Sequence, residues 1–200
     1  MAFSDYKTIA QVQQKYGIRY QEGDFLTVVE AQLSEQFVQE FQFNVQNLDV
    51  FSSEAARCEL LILPILREAY KKYAERLSLW VQKPLNYDAA LSGTPDYMLS
   101  KRSSLGKTVL EYPLLMVAEA KKNDFEQGWG QCLAELIAGQ RLNGAEQAIY
   151  GVVTDGRYWE FGKLERQLLT RSLSTFSIDN LAVLFGALDE VFGQFERVAV

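Results

Sequence analysis

From Ser52 onward the hydrophobic period of the chain switches four times between helical and alternating, and each switch marks a new kind of element. Ile62, Leu66, Ala69, Tyr70, Tyr73 and Leu77 recur at the helical spacing behind a capping Ser53, with Pro64 inside as an expected kink or early break. Strand-like segments follow at about 77–84, 87–91, 96–100 and, after the polar SKRSSLGK, 108–119, the signature of an antiparallel meander. Phe125, Trp129, Cys132, Leu133, Leu136 and Ile137 then form one stripe of a helix that Asn143-Gly144 ends. AIYGVVTDGRYWEFGKLE reads as a strand, a tight Asp155-Gly156 turn and a second strand whose Tyr158 and Trp159 pack on the sheet. A final helix follows Asp179, with the stripe Leu181, Leu184, Leu188, Val191, Phe192 and Phe195 as core or, if exposed, a dimer contact. Helix, meander, helix, strands, helix describes an α/β (α+β) domain with a central mixed β-sheet flanked by α-helices. In the first fifty residues TIAQVQQKYG predicts a short helix ended by Gly17, and Val29, Leu33, Phe37 and Phe41, recurring every four residues, predict another.

The 200 residues, 48% hydrophobic and 23% charged, suit a single globular domain, and no repeat or linker divides them. The longest apolar run, LLILPIL, is too short to cross a bilayer and is followed by Arg67 and Glu68. MAFSDYK lacks the features of a secretory signal, so the expected location is the cytoplasm, with no membrane partner. The absence of histidine excludes Ser-His-Asp and Cys-His nucleophilic sites, HExxH zinc sites and histidine-dependent nucleases. Cys58 and Cys132 have no metal-ligand spacing and read as small buried hydrophobes. What remains for chemistry is carboxylates, lysine, hydroxyls and a hard metal ion held by oxygen. A net charge of −6 opposes nucleic-acid binding by the whole surface but leaves room for a local basic groove. Lys101, Arg102 and Lys107 cluster within seven residues, and Arg67, Lys71, Lys72 and Arg76 recur along one helix; either set also suits a solvated face.

VAEAKK closes the apolar run PLLMVAEA with charge. In an extended chain Glu119 and Lys121 share a face while Ala120 points back into the protein, so a carboxylate and an ammonium finish a core strand side by side. Such a pair is either a structural ion pair or part of a site. Twenty-three positions upstream stands GTPDYMLS, in which Pro95 suits the start or edge of a strand and Asp96 follows at once. If the two segments pair, Asp96 approaches Glu119 and Lys121, and the repulsion between the carboxylates calls for a cation. Mg²⁺, which is commonly held by one or two carboxylates plus substrate phosphate, suits that pair together with the Ala120 carbonyl.

The arrangement Pro95-Asp96 … Glu119-Ala120-Lys121 resembles the PD-(D/E)XK phosphodiesterase superfamily, the restriction-endonuclease-like fold. SSEAARCELLILPILREAY, with Glu54 and then Glu59 as its acidic candidates, and VVTDGRYWEF are similar to segments of the N-terminal nuclease domain of type I restriction subunits, with Asp155 in place of Asn. Gln131 in GWGQCLAELIAG matches a glutamine found on the helix after the lysine strand. The resemblance implies a nuclease-like core at 51–165, an N-terminal elaboration at 1–50 and a C-terminal strand and helix at 166–200. It implies Asp96 and Glu119 as metal ligands, Lys121 as the catalytic lysine that positions the water, and Glu54 and Gln131 as further site residues, with Mg²⁺ or Mn²⁺ as cofactor. Lys101, Arg102, Lys107 and Lys122 are then the expected substrate-binding residues. The expected function is a metal-dependent endonuclease, a hydrolase acting on DNA, with a homodimer or a partner protein also compatible. The alternative is a catalytically inactive module of the same fold used for binding or assembly, and a third option is an enzyme of small phosphorylated substrates.

Overall fold

The structure, a computed structural model, describes residues 2–122, 124–144 and 147–198; the side chains of 195–198, Phe195 of the last stripe among them, lie outside that description. Helix α1 (Ile9–Tyr16) begins where the Thr8 hydroxyl accepts from the Gln11 N–H, and ends at Gly17, whose φ of 70° is the left-handed turn a side chain would resist. Strand β1 (Arg19–Glu22) follows. The four-residue spacing that begins at Val29 becomes helix only after Ser34 caps α2 (Glu35–Asn47); residues 23–34 are irregular and Val29 is exposed. A cap lies between Leu33 and Phe37, so periodicity alone overran the helix start.

Ser53 caps α3 (Glu54–Arg57), which continues through a π-helical turn at Cys58–Ile62 into α4 (Leu63–Lys71). Pro64 is accommodated there: having no N–H, it leaves the Leu60 carbonyl without its helical donor, and Asn44 Nδ2 donates to that oxygen at 3.2 Å. The remaining elements are β2 (Leu77–Val81), β3 (Leu85–Asp88), β4 (Leu91–Gly93), β5 (Tyr97–Lys101), β6 (Glu111–Ala120), α5 (Phe125–Leu142), β7 (Ile149–Thr154), β8 (Tyr158–Glu165), β9 (Leu168–Ser177) and α6 (Leu181–Val198).

Seven strands form one mixed sheet in the order β1-β9-β8-β7-β6-β5-β2. β6 runs parallel to β7 and β1 parallel to β9, and the other neighbours are antiparallel. The expected meander holds for β2, β5 and β6, but β3 and β4 form a separate ribbon. β2 pairs directly with β5, Val81 opposite Tyr97, so the chain between them has no place in the sheet and packs by Leu85 and Leu91 on the α5 side.

Alternation along β6 sorts the two faces. Met116, Ala118 and Ala120 join the core built with the α2, α4 and α6 helices, among them Phe37, Ile62, Leu66, Leu188 and Phe192. Val117 faces the core under α5, with Trp129, Cys132, Leu133, Leu136 and Val153. Trp159 is in the first core, while Tyr158 is exposed. The result is a mixed α/β architecture, a seven-stranded sheet flanked by helices, compatible with a restriction-endonuclease-like core. Among the described residues no helix is long and apolar enough to cross a membrane.

Candidate active site

β5 and β6 are antiparallel with Tyr97 opposite Ala118, so Asp96, entering β5, meets the residues leaving β6. The Ala120 N–H donates to Asp96 Oδ2 at 2.9 Å, which ties the aspartate to the neighbouring strand end. Met98, two residues after Asp96, and Val117, two before Glu119, both belong to the core under α5, so alternation turns both carboxylates toward that face. Lys121 Nζ donates to Glu119 Oε1 at 2.6 Å, and the Lys121 N–H donates to the Thr154 carbonyl at 2.9 Å, which holds the segment against parallel β7.

Helix α5 makes room for this group. A Cβ at Gly128 would come within 2.5 Å of Val153 Cγ1 and 3.2 Å of Lys121 Cγ, so only glycine lets the helix sit this close to the lysine stem. One turn on, Gln131 Nε2 donates to Glu135 Oε1 at 3.2 Å. Glu135 is fully buried, and no role follows for it from apolar periodicity. Its signal was available: Glu135 is four residues after Gln131 and therefore on the same helical face.

The electrostatics of the group are dominated by the burial of its carboxyls, with their mutual repulsion second. Burial pushes the Glu119 carboxyl up to about 7, and Asp96 beside it adds to the shift, while Lys121 opposes it. Burial likewise raises Asp96, against the Ala120 N–H and Lys121. Glu135 is raised well above the ordinary carboxylate range, by burial first and by Glu119 second. Two buried carboxylates this close do not both ionise cheaply, so Glu135, the more buried, holds a proton at neutral pH. Burial alone would lower the Lys121 amine, but Glu119, Glu54 and Asp96 outweigh it and keep the ammonium charged. Glu54, exposed on the first turn of α3, thus bears on Lys121 and Asp96, whereas Glu59 bears on Tyr97.

The Oε2 atoms of Glu119 and Glu135 and the Gln131 Oε1 are buried and receive no N–H, so the proton on Glu135 is the hydrogen-bond donor that links the two glutamates. Asp96, the Ala120 carbonyl and Glu119 make a hard-oxygen set that suits a divalent ion completed by water or phosphate. Among the described residues no three Cys, Asp or Glu side chains gather into a cage of their own.

The basic residues expected at the substrate are not brought together. Lys101 is in register with Glu111 and ion-paired to it at 2.8 Å, Arg102 donates to the Ala74 carbonyl, and Lys107 precedes β6. The loop joining two antiparallel strands lies at the end opposite to Asp96 and Glu119, and five extended residues separate Asp96 from Lys101 by about 16 Å. Lys122 alone is at the rim, its Nζ donating to the Ser52 carbonyl at 3.3 Å. On the helical side Lys71 pairs with Glu68, and Lys72 with Asp189 at 2.9 Å.

No protein-family model matches the chain, and no curated protein matches it. Among solved structures it is similar to a chain in a cryo-EM structure of a DrdV–DNA complex, with a TM-score of 0.46 and 15% identity. The match covers 80% of this chain and 14% of that one, so this protein spans a small part of its length.

Proposed function

We propose that the protein is a divalent-metal-dependent nuclease that hydrolyses DNA phosphodiester bonds through Asp96, Glu119 and Lys121. The observation that carries the reading is the buried Glu119 carboxylate, pushed up to about 7 by burial and held by the Lys121 ammonium, beside an Asp96 turned to the same face. Asp96, Glu119 and the Ala120 carbonyl would hold Mg²⁺ or Mn²⁺, which supplies Lewis-acid polarisation of the scissile phosphate when bound. Lys121, kept charged by its acidic neighbours, orients the attacking water and stabilises the negative charge that gathers on the phosphoryl oxygens. Glu135 keeps its proton and, through Gln131, fixes that side of the cleft; Glu54 adds negative charge from α3.

The separation of Lys101, Arg102 and Lys107 from the carboxylates favours a second reading, a binding or assembly module that retains the fold without cutting. Incubating plasmid and single-stranded DNA with the protein in Mg²⁺ or Mn²⁺, beside Lys121→Ala and Asp96→Ala, decides between them. Cleavage by wild type that both substitutions abolish supports the nuclease; equal behaviour of all three proteins favours the module.

A further inference from the structure

Across α5 from the carboxylates lies a second cleft, of about 380 Å³, between the start of α1 and the start of α5. Its floor is a built stack. Trp129, fully buried, donates from Nε1 to Glu160 Oε2 at 2.6 Å, and the Arg171 guanidinium lies 4.8 Å above the Trp129 ring while pairing with the same glutamate. Glu160 thus holds the guanidinium against the indole, and Arg171 lines the cleft. Tyr20 and Phe125 line the walls, with the Gln13 amide and the Glu126 carboxylate as polar groups beside them.

We infer that this cleft takes a nucleobase of the DNA strand whose backbone passes the carboxylate site, an inference that rests on the proposed nuclease function. Planar heteroaromatic rings stack on aromatic and guanidinium faces and use their edges for hydrogen bonds, and this wall chemistry offers both. The charge balance argues against a bare anion: Glu160 offsets Arg171, and Glu126 adds a carboxylate, so the uncharged end of a nucleotide is the part that fits. The spacing also suits. Glu119, Val153 and Glu160 are register partners on adjacent strands, so Glu160 is two strand spacings, about 9.5 Å, from Glu119. That reach is on the order of one to two nucleotides of extended strand.

The probes are deoxyadenosine 5′-monophosphate and deoxyribose 5-phosphate, titrated without metal and followed by calorimetry and by indole fluorescence, which reports on Trp129 as well as the other tryptophans. Wild type is expected to bind the nucleotide and not the sugar phosphate, Tyr20→Ala and Phe125→Ala to weaken binding at least about tenfold, and Lys72→Ala, on the other face, to bind as wild type does. Circular dichroism confirms that the variants fold. Equal binding of both probes, no binding by folded wild type, or binding indifferent to Tyr20→Ala and Phe125→Ala overturns the inference. Because the titration contains no metal and reads binding rather than cleavage, loss of the nuclease reading and loss of this one are separate results.

Discussion

Two buried charge clusters occupy the same end of the sheet, one on each face, and they are built on opposite principles. On the helical side Arg57 is almost wholly buried and its charge is answered: Nη1 donates to the Asp155 carbonyl at 2.6 Å, with the Asp155 carboxylate 3.8 Å away, and Nη2 donates to the Phe51 carbonyl. Asp155 in turn accepts from the Arg157 and Tyr158 N–H groups at 2.9 and 2.7 Å, which closes the turn between β7 and β8. On the α5 side Asp96, Glu119 and Glu135 face a single lysine, and the two glutamates share buried oxygens that no N–H reaches. The first cluster is a clamp in which one cation meets one anion, although the Arg57 Nε is buried without a hydrogen-bond partner. The second carries an excess of acid that folding alone does not reward, and a bound cation would repay it.

The contrast can be broken by substitution. Arg57→Ala leaves the Asp155 carboxylate buried without its counter-charge, so a loss of about 3–5 kcal/mol in urea denaturation is expected; a loss below about 1 kcal/mol would make the clamp ornamental. Lys121→Ala is expected to lower DNA cleavage about 10²–10³-fold with little loss of stability, the reverse pattern. The acid cluster should also respond to pH with its own sign. Glu119 binds its proton near pH 7 in the fold and near 4.5 when unfolded, so between those values the native state holds the extra proton and stability rises as pH falls. In chelator the free energy of unfolding in urea is expected to gain about 1–3 kcal/mol from pH 8 to pH 5.5, and Glu119→Gln to flatten that rise. The smallest effect tests what the clusters share. Ser53 caps the helix that carries both Glu54 and Arg57, its hydroxyl accepting from the Ala56 N–H, so Ser53→Ala should cost about 1 kcal/mol and lower cleavage modestly.

The parts that could be read from the sequence are those whose cause is local. The short α1 helix and its glycine stop, the α5 stripe and the Asp155-Gly156 hairpin follow from neighbouring residues, and they are present as expected. The approach of Asp96 to Glu119 depends on register, which strand alternation and the position of Pro95 jointly imply. What escaped depends on contacts distant in sequence. The β3–β4 ribbon leaves the sheet because β2 and β5 pair past it, and the helix runs on through Pro64 by way of a π-turn just before it, with Asn44 there to satisfy the Leu60 carbonyl. Lys101, Arg102 and Lys107 are neighbours in sequence, yet the turn of an antiparallel pair carries them to the far end of the sheet from the acids. Arg57 gave no signal at all, since its partner lies 98 residues away.

The central claim is that the acid cluster is incomplete without a cation, and calorimetric titration of Mn²⁺ at pH 7.5 tests it most directly. Wild type should bind at one site, Asp96→Asn at least about tenfold more weakly, and Asp155→Asn as wild type does, because that carboxylate belongs to the clamp. Equal heats for wild type and Asp96→Asn would contradict the account.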